Sequence, residues 1–319
     1  MFVAILLVIL GLGILILGAE SLVRGSASLA KKLGVSPLVI GLTVVSFGTS
    51  APELVVNMYS AIKGAADIAI GNVIGSNIFN ILVALGVAAI IRPMSIQKST
   101  IWKEIPFALL AVILTFTMGN DELFDGSNFN TITRTDGFSL MALFAIFMFY
   151  IFGIAKAEGQ VEEIKVYSYP ISIAMTLAGL GFLYIGGRVL VNNAVILARL
   201  AGMSEALIGL TIIAIGTSLP ELATTVVAAI HNQHDIAVGN VVGSNIFNIL
   251  WILGLTSTIL QLPINPVVNV DILICVLVTI ILFIFMFVGN RHRLDRWQGI
   301  LFLIIYIIYL AYSIKKGMV

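Results

Sequence analysis

Long apolar runs, separated by short polar or charged stretches, fill this chain from end to end. A helix that crosses a bilayer needs about 20 consecutive, mostly apolar residues. The pattern therefore predicts ten crossing helices, near 2–32, 36–62, 66–91, 104–119, 137–156, 167–200, 204–230, 236–260, 267–289 and 296–314. The first and sixth are too long for an upright crossing and are expected to tilt. The fourth is short. Met1 to Ile16 carries no basic lead and no small-residue cleavage site, so it reads as a retained first helix rather than a removed signal.

The pattern also repeats. At an offset of 168 residues, Gly11, Gly13 and Gly18 match Gly179, Gly181 and Gly186. Ser36 to Gly86 matches Ser204 to Gly254 without a gap, with 29 identities in 51 positions. Two apolar segments do not reach that density by chance, so the repeat is the organising unit. The predicted organisation is a five-helix repeat over 1–156, a short charged linker at 157–166, and a second five-helix repeat over 167–319. Five is odd, so the second repeat enters the membrane from the opposite side. The two halves are then inverted, related by an axis in the membrane plane.

Composition agrees with the pattern. The chain has 319 residues, 60% hydrophobic and only 10% charged. Soluble domains carry about 25% charged residues. The expected class is an all-α integral membrane protein, multi-pass in a cell membrane, with the lipid bilayer as its surroundings. A net charge of +1 gives no footprint for nucleic acid. Cys275 is the single cysteine, so no internal disulfide forms, and it reads as a small core residue. Lys and Arg in short loops set orientation. With both termini outside, the inner connections hold ten such residues, among them Lys31, Lys32, Arg92, Arg291 and Arg293. The outer ones hold five: Lys63, Arg134, Arg199, Lys315 and Lys316. Both termini are therefore expected outside.

The polar positions inside the apolar runs carry the chemistry. Gly48-Thr49-Ser50-Ala51-Pro52-Glu53 recurs as Gly216-Thr217-Ser218-Leu219-Pro220-Glu221. Gly71-Asn72-Val73-Ile74-Gly75-Ser76-Asn77-Ile78-Phe79-Asn80 recurs as Gly239-Asn240-Val241-Val242-Gly243-Ser244-Asn245-Ile246-Phe247-Asn248. Proline interrupts a helix, and carbonyls freed at membrane depth must face protein or a polar cavity. Each copy thus offers carbonyls, two hydroxyls and a carboxylate, an all-oxygen cluster. Hard cations such as calcium take six to eight oxygens. No His or Cys stands near either string, which argues against zinc, copper or iron–sulfur. Glu53 and Glu221 together match the charge of one divalent cation, and two buried carboxylates repel unless a cation or proton compensates them. Ser76 with Asn80, and Ser244 with Asn248, lie four apart on one helical face. Gly71 and Gly75 permit close helix approach. There is no HExxH, phosphate-cradling loop or Ser–His pairing, so no enzyme and no cofactor is expected. Both copies sit in one chain, so a monomer is sufficient for the site, and the sequence leaves the oligomeric state open.

The remaining polar residues read more simply. Asn72, Asn77, Asn240 and Asn245 fit helix stitching as well as ion binding. Glu20 with Arg24, four residues on, reads as a local ion pair. Asp67, Asp235, His231 and His234 read as solvated loop edges.

At these strings the chain resembles the cation/calcium exchanger superfamily, and within it prokaryotic sodium/calcium exchangers of ten helices with two inverted repeats. The resemblance implies antiport of transported Ca2+ and Na+, with Glu53 and Glu221 holding calcium, helped by the carbonyls of Thr49 and Thr217. It implies one flanking sodium site at Ser46, Thr49, Ser50 and Ser76 with Glu53. It implies another at Ala214, Thr217, Ser218 and Ser244 with Glu221, with Asn80 and Asn248 completing the middle. The long first and sixth helices resemble a gating pair that slides across the other eight. Several relatives carry Asp at the position of Asn248. Asparagine adds no third charge, so exchange is expected without potassium. A calcium/proton antiporter on the same scaffold remains the alternative.

Overall fold

A computed structural model describes residues 1–154, 165–202 and 214–317. Most of the expected linker 157–166, and the start of the expected segment 204–230, lie outside the described residues.

The long helices follow the apolar runs. They are α1 (Phe2–Leu33), α2 (Pro37–Thr49), α3 (Ala51–Ile62), α4 (Ala66–Ile91), α5 (Thr100–Met118) and α6 (Arg134–Ile154). After them come α7 (Tyr169–Leu200), α8 (Leu219–Ile230), α9 (His234–Ile259), α10 (Pro266–Phe285) and α11 (Arg296–Gly317). Among the described residues, eight helices are long and apolar enough to cross a membrane. The α2–α3 pair, bent by 45° at a break, makes nine if it is counted as one span. α8 is shorter, so the count of crossings stands at eight to nine among the described residues rather than ten. α5 starts at Thr100, ahead of the run expected at 104, whose apolar pattern is interrupted by Lys103. Lys103 stays exposed, while Glu104 is buried and accepts a hydrogen bond from the Tyr150 hydroxyl of α6.

Four two-residue strands mark the two ends of the bundle: β1 (Met94–Ser95), β2 (Thr131–Ile132), β3 (Leu262–Pro263) and β4 (Arg293–Leu294). β1 pairs antiparallel with β4, and β2 with β3, so each ladder joins the front of the chain to the back. At the β1–β4 end, Arg92 Nη1 donates to the Ile230 carbonyl and the Ser95 amide donates to His234 Nδ1. At the β2–β3 end, Arg134 Nη2 donates to the Ile259 carbonyl.

The 168-residue offset is visible in the backbone. α1 and α7 run antiparallel in close contact. A Cβ on Gly18 would lie 2.7 Å from Leu183 N, and one on the matching Gly186 would lie 2.6 Å from Leu15 N. Gly11 against Leu190 is likewise matched by Gly179 against Leu22, at 2.7 and 2.6 Å. Equivalent helices that meet antiparallel are related by a two-fold axis perpendicular to them. Glycine is needed here because only a hydrogen in place of Cβ lets the two backbones approach this closely. α9 is almost wholly buried and α4 largely so, while α6 and α11 show most of their surface outward. The site-bearing helices therefore occupy the middle of the molecule.

Candidate cation-binding site

Two helix breaks face each other at the centre. α2 ends at Thr49, and α3 restarts with Pro52 in its first turn. Ser50 sits between them at φ −82°, ψ 4°, and Ser218 before α8 at φ −90°, ψ 5°. Proline tolerates the first helical turn, where its missing N–H is not required. Each restarted helix carries a glutamate in that turn, Glu53 in α3 and Glu221 in α8. The positive end of the helix dipole favours a carboxylate there. Both glutamates are 0% exposed.

The hydroxyls reach across the repeats. Ser50 Oγ donates to Glu221 Oε1 at 3.1 Å, and Ser218 Oγ donates to Glu53 Oε1 at the same distance. Within each repeat, Ser76 donates to Glu53 Oε1 at 3.4 Å and Ser244 to Glu221 Oε1 at 3.5 Å. The family resemblance groups Ser50 with Glu53 and Ser218 with Glu221. The hydrogen bonds pair each serine with the glutamate of the opposite repeat, because each serine lies at its break and leans toward the opposite one. Thr49 Oγ1 donates to Asn240 Oδ1 at 3.1 Å, and Thr217 Oγ1 to Asn72 Oδ1 at 3.4 Å.

Asparagines tie α4 to α9. Asn77 Nδ2 donates to the Asn245 carbonyl at 3.1 Å, and Asn245 Nδ2 returns to the Asn77 carbonyl at 3.2 Å. Asn80 Nδ2 donates to Asn245 Oδ1, and Asn248 Nδ2 to Asn77 Oδ1. These bonds fix the amides so that Asn80 and Asn248 turn their oxygens away from the donors. Asn80 Oδ1, Asn248 Oδ1, Glu53 Oε2 and Glu221 Oε2 are all buried without a hydrogen-bond partner. Asn80 stands one turn along α4 from Ser76, which bonds Glu53, and Asn248 is placed likewise in α9. A buried acceptor without a donor costs about 1–3 kcal/mol. Four acceptors, two of them carboxylate oxygens, suit a cation. No group of three or more His, Cys, Asp or Glu gathers among the described residues, so the neutral oxygens must supply most of any coordination shell.

The remaining polar residues take other partners. Ser46 Oγ is used in packing: it donates to the Gly41 carbonyl at 2.7 Å and lies 3.0 Å from that of Asn240. Its counterpart Ala214 opens the short helix Ala214–Gly216, just before the second break. His231 is no solvated loop residue, since its Nε2 meets Glu20 Oε2 on α1 at 2.7 Å. Asp235 likewise accepts from Gln97 Nε2 at 2.6 Å. Neither contact was legible locally, because both join residues far apart in sequence. Glu20 also pairs with Arg24, as the spacing indicated.

The surroundings of the two breaks differ. α1 packs along α8, whereas α7 has no comparable packing on α3. Between α7 and α3 lies a cavity of about 200 Å³, lined by Pro52, Val56, Leu183, Arg188, Thr217 and Pro220.

Such a fold defines a multi-pass membrane protein whose centre holds buried acceptor oxygens without donors. The chain matches the profile of the sodium/calcium exchanger protein family over residues 3–153 and 171–315, and it belongs to that family. It is 32% identical to the sodium/calcium exchanger MaX1 of Methanosarcina acetivorans over 343 residues, 96% of this chain and 97% of the relative. It is 37% identical to the inner membrane protein YrbG of Escherichia coli K12 over 277 residues, 83% of each chain. Its structure matches that of the sodium-calcium exchanger NCX_Mj soaked in Na+ without Ca2+, with a TM-score of 0.84 and 35% identity. That match covers 97% of this chain and 98% of the other. The protein is thus a cation/calcium exchanger, a transporter by family.

Proposed function

We propose that the protein is an antiporter that exchanges Na+ for Ca2+ by alternating access to this centre, without a requirement for K+. The observation that carries the reading is the set of four buried, unpartnered acceptor oxygens on Glu53, Glu221, Asn80 and Asn248. Calcium takes the two carboxylates with the carbonyls of Thr49 and Thr217. Sodium ions take flanking oxygens around Thr49, Ser50, Ser76, Thr217, Ser218 and Ser244, with the backbone at Ser46 and Ala214. The two ions compete for the same glutamates, so filling by one expels the other. An empty site holds two uncompensated buried carboxylates and crosses poorly, which couples the fluxes.

The architecture that supports this is ten helices in two inverted five-helix repeats, 1–156 and 167–319, joined at 157–166. The antiparallel match of α1 with α7 favours it. The β1–β4 end then faces the cytoplasm and both termini lie outside, in line with the Lys and Arg distribution.

The test is radioactive calcium uptake into proteoliposomes under an imposed Na+, K+ or H+ gradient. Uptake driven by Na+ alone is expected. Uptake driven only by H+ overturns the choice of sodium in favour of a calcium/proton antiporter, and calcium flux without any counter-gradient dependence overturns antiport.

A further inference from the structure

The offset of 168 lets each contact be compared with its own counterpart. The close approaches at Gly11, Gly18, Gly179 and Gly186 between α1 and α7 come in matched pairs, as do the bonds of Ser50 and Ser218 to the glutamates and of Asn77 and Asn245 to each other. Among the contacts without a match, one joins α1 to the helix of the second break. Glu20 on α1 accepts from His231 Nε2 at 2.7 Å, with the two side chains 30% and 34% exposed. His231 follows directly on α8, so the bond ties α1 to the helix that carries Glu221. Applying the offset puts Arg188 of α7 in the place of Glu20, and Lys63 after α3 in the place of His231. The equivalent pair is therefore two cations.

Their present positions fit that difference. Arg188 lines the cavity that separates α7 from α3, and Lys63 Nζ lies over the Tyr59 ring, 5.7 Å from its centre. The side with the hydrogen-bonded contact is packed closed, and the side with the like-charge positions holds the cavity. In a protein of two inverted repeats, the opposite-facing state exchanges the roles of the repeats. α7 then packs on α3 as α1 now packs on α8, and Arg188 approaches Lys63.

We infer that Glu20 and His231 form a conformational latch, and that Arg188 with Lys63 is its repulsive counterpart. Together they bias the protein toward the state closed at the β1–β4 end. This inference rests on the alternating-access reading above. If the halves were identical, the protein itself would favour neither state, so a bias must come from positions where the repeats differ. Here the difference is a change from attraction to repulsion at the same place on the moving pair.

The experiment labels Val56→Cys, on the cavity wall, with a charged thiol reagent in a Cys275→Ala background. Glu20→Gln and His231→Ala are expected to slow labelling by roughly two- to five-fold, the effect of a partly exposed pair. His231→Gln, which keeps an N–H donor, should restore most of the rate. Arg188→Glu should also slow labelling, because the new carboxylate can meet Lys63 in the opposite state, and Lys63→Glu should do the same. Arg188→Glu with Lys63→Glu brings like charges back together and should return the rate to that of the parent. Unchanged rates in Glu20→Gln and Arg188→Glu, or simple additivity in the double variant, overturn the latch. Labelling of the parent that ignores saturating Ca2+ or Na+ overturns alternating access instead, so the two failures read differently.

Discussion

Glu53 and Glu221 each divide their work between two oxygens. One is held by serine hydroxyls, and the other is buried without a donor. Glu53→Gln and Glu221→Gln keep the oxygen that the serines need but remove the charge that a cation needs. Each variant should abolish calcium transport while staying folded, as read by proteoliposome uptake beside size-exclusion profiles. Wild-type exchange in Glu221→Gln would remove it from the site. The crossed serines give a sharper residue-level expectation. Ser50→Ala should couple with Glu221→Asp by about 0.5–3 kcal/mol in a double-mutant cycle on thermal unfolding. Independent, additive effects would show that the bond across the repeats contributes nothing. The glutamates, serines and asparagines were all legible from the repeated strings, because polar groups in apolar runs need a reason to be there. Which serine serves which glutamate was not legible. Spacing reports neighbours along one helix, and these bonds pass between helices 171 and 165 residues apart.

Helices were legible where hydrophobicity ran unbroken. α4 matches its apolar run to the residue, and the break before α3 was signalled by Pro52. α5 was clipped because Lys103 looks like a loop residue, and only packing reveals that the neighbouring Glu104 turns inward toward Tyr150. The α1–α7 pair shows what the glycine pattern is for. Gly18→Ala places a Cβ 2.7 Å from a backbone nitrogen that cannot yield, whereas Gly13 has nothing within 4 Å. Gly18→Ala should cost about 1–3 kcal/mol, the range for overpacking. Gly13→Ala should be neutral or stabilising by up to about 1 kcal/mol, since alanine is the better helix former. Thermal unfolding in detergent compares them, and equal melting temperatures would mean that the helices separate freely at Gly18.

For the whole molecule, the pair of asparagines at the middle sets an expectation about ions. Asn80 and Asn248 offer oxygens without charge, so the centre holds two carboxylates rather than three. Sodium-driven calcium flux should run in potassium-free vesicles, and flux that begins only when potassium is added contradicts this. The repeat came from the sequence alone, and the inversion expected from an odd helix count belongs to the proposal. The asymmetry between the repeats did not. It lies in how α1 and α7 rest on otherwise similar scaffolds, a property of one state rather than of the chain. The crossed serines have a further consequence, in time rather than space. A ribosome makes Glu53 long before Ser218, the residue that completes its hydrogen bonds. Until the second break has been synthesised and inserted, the first half waits in the membrane with its carboxylate short of a partner. Folding of the centre is thereby a late event in biogenesis, and a chain truncated before residue 218 should be recognised and degraded rather than stored.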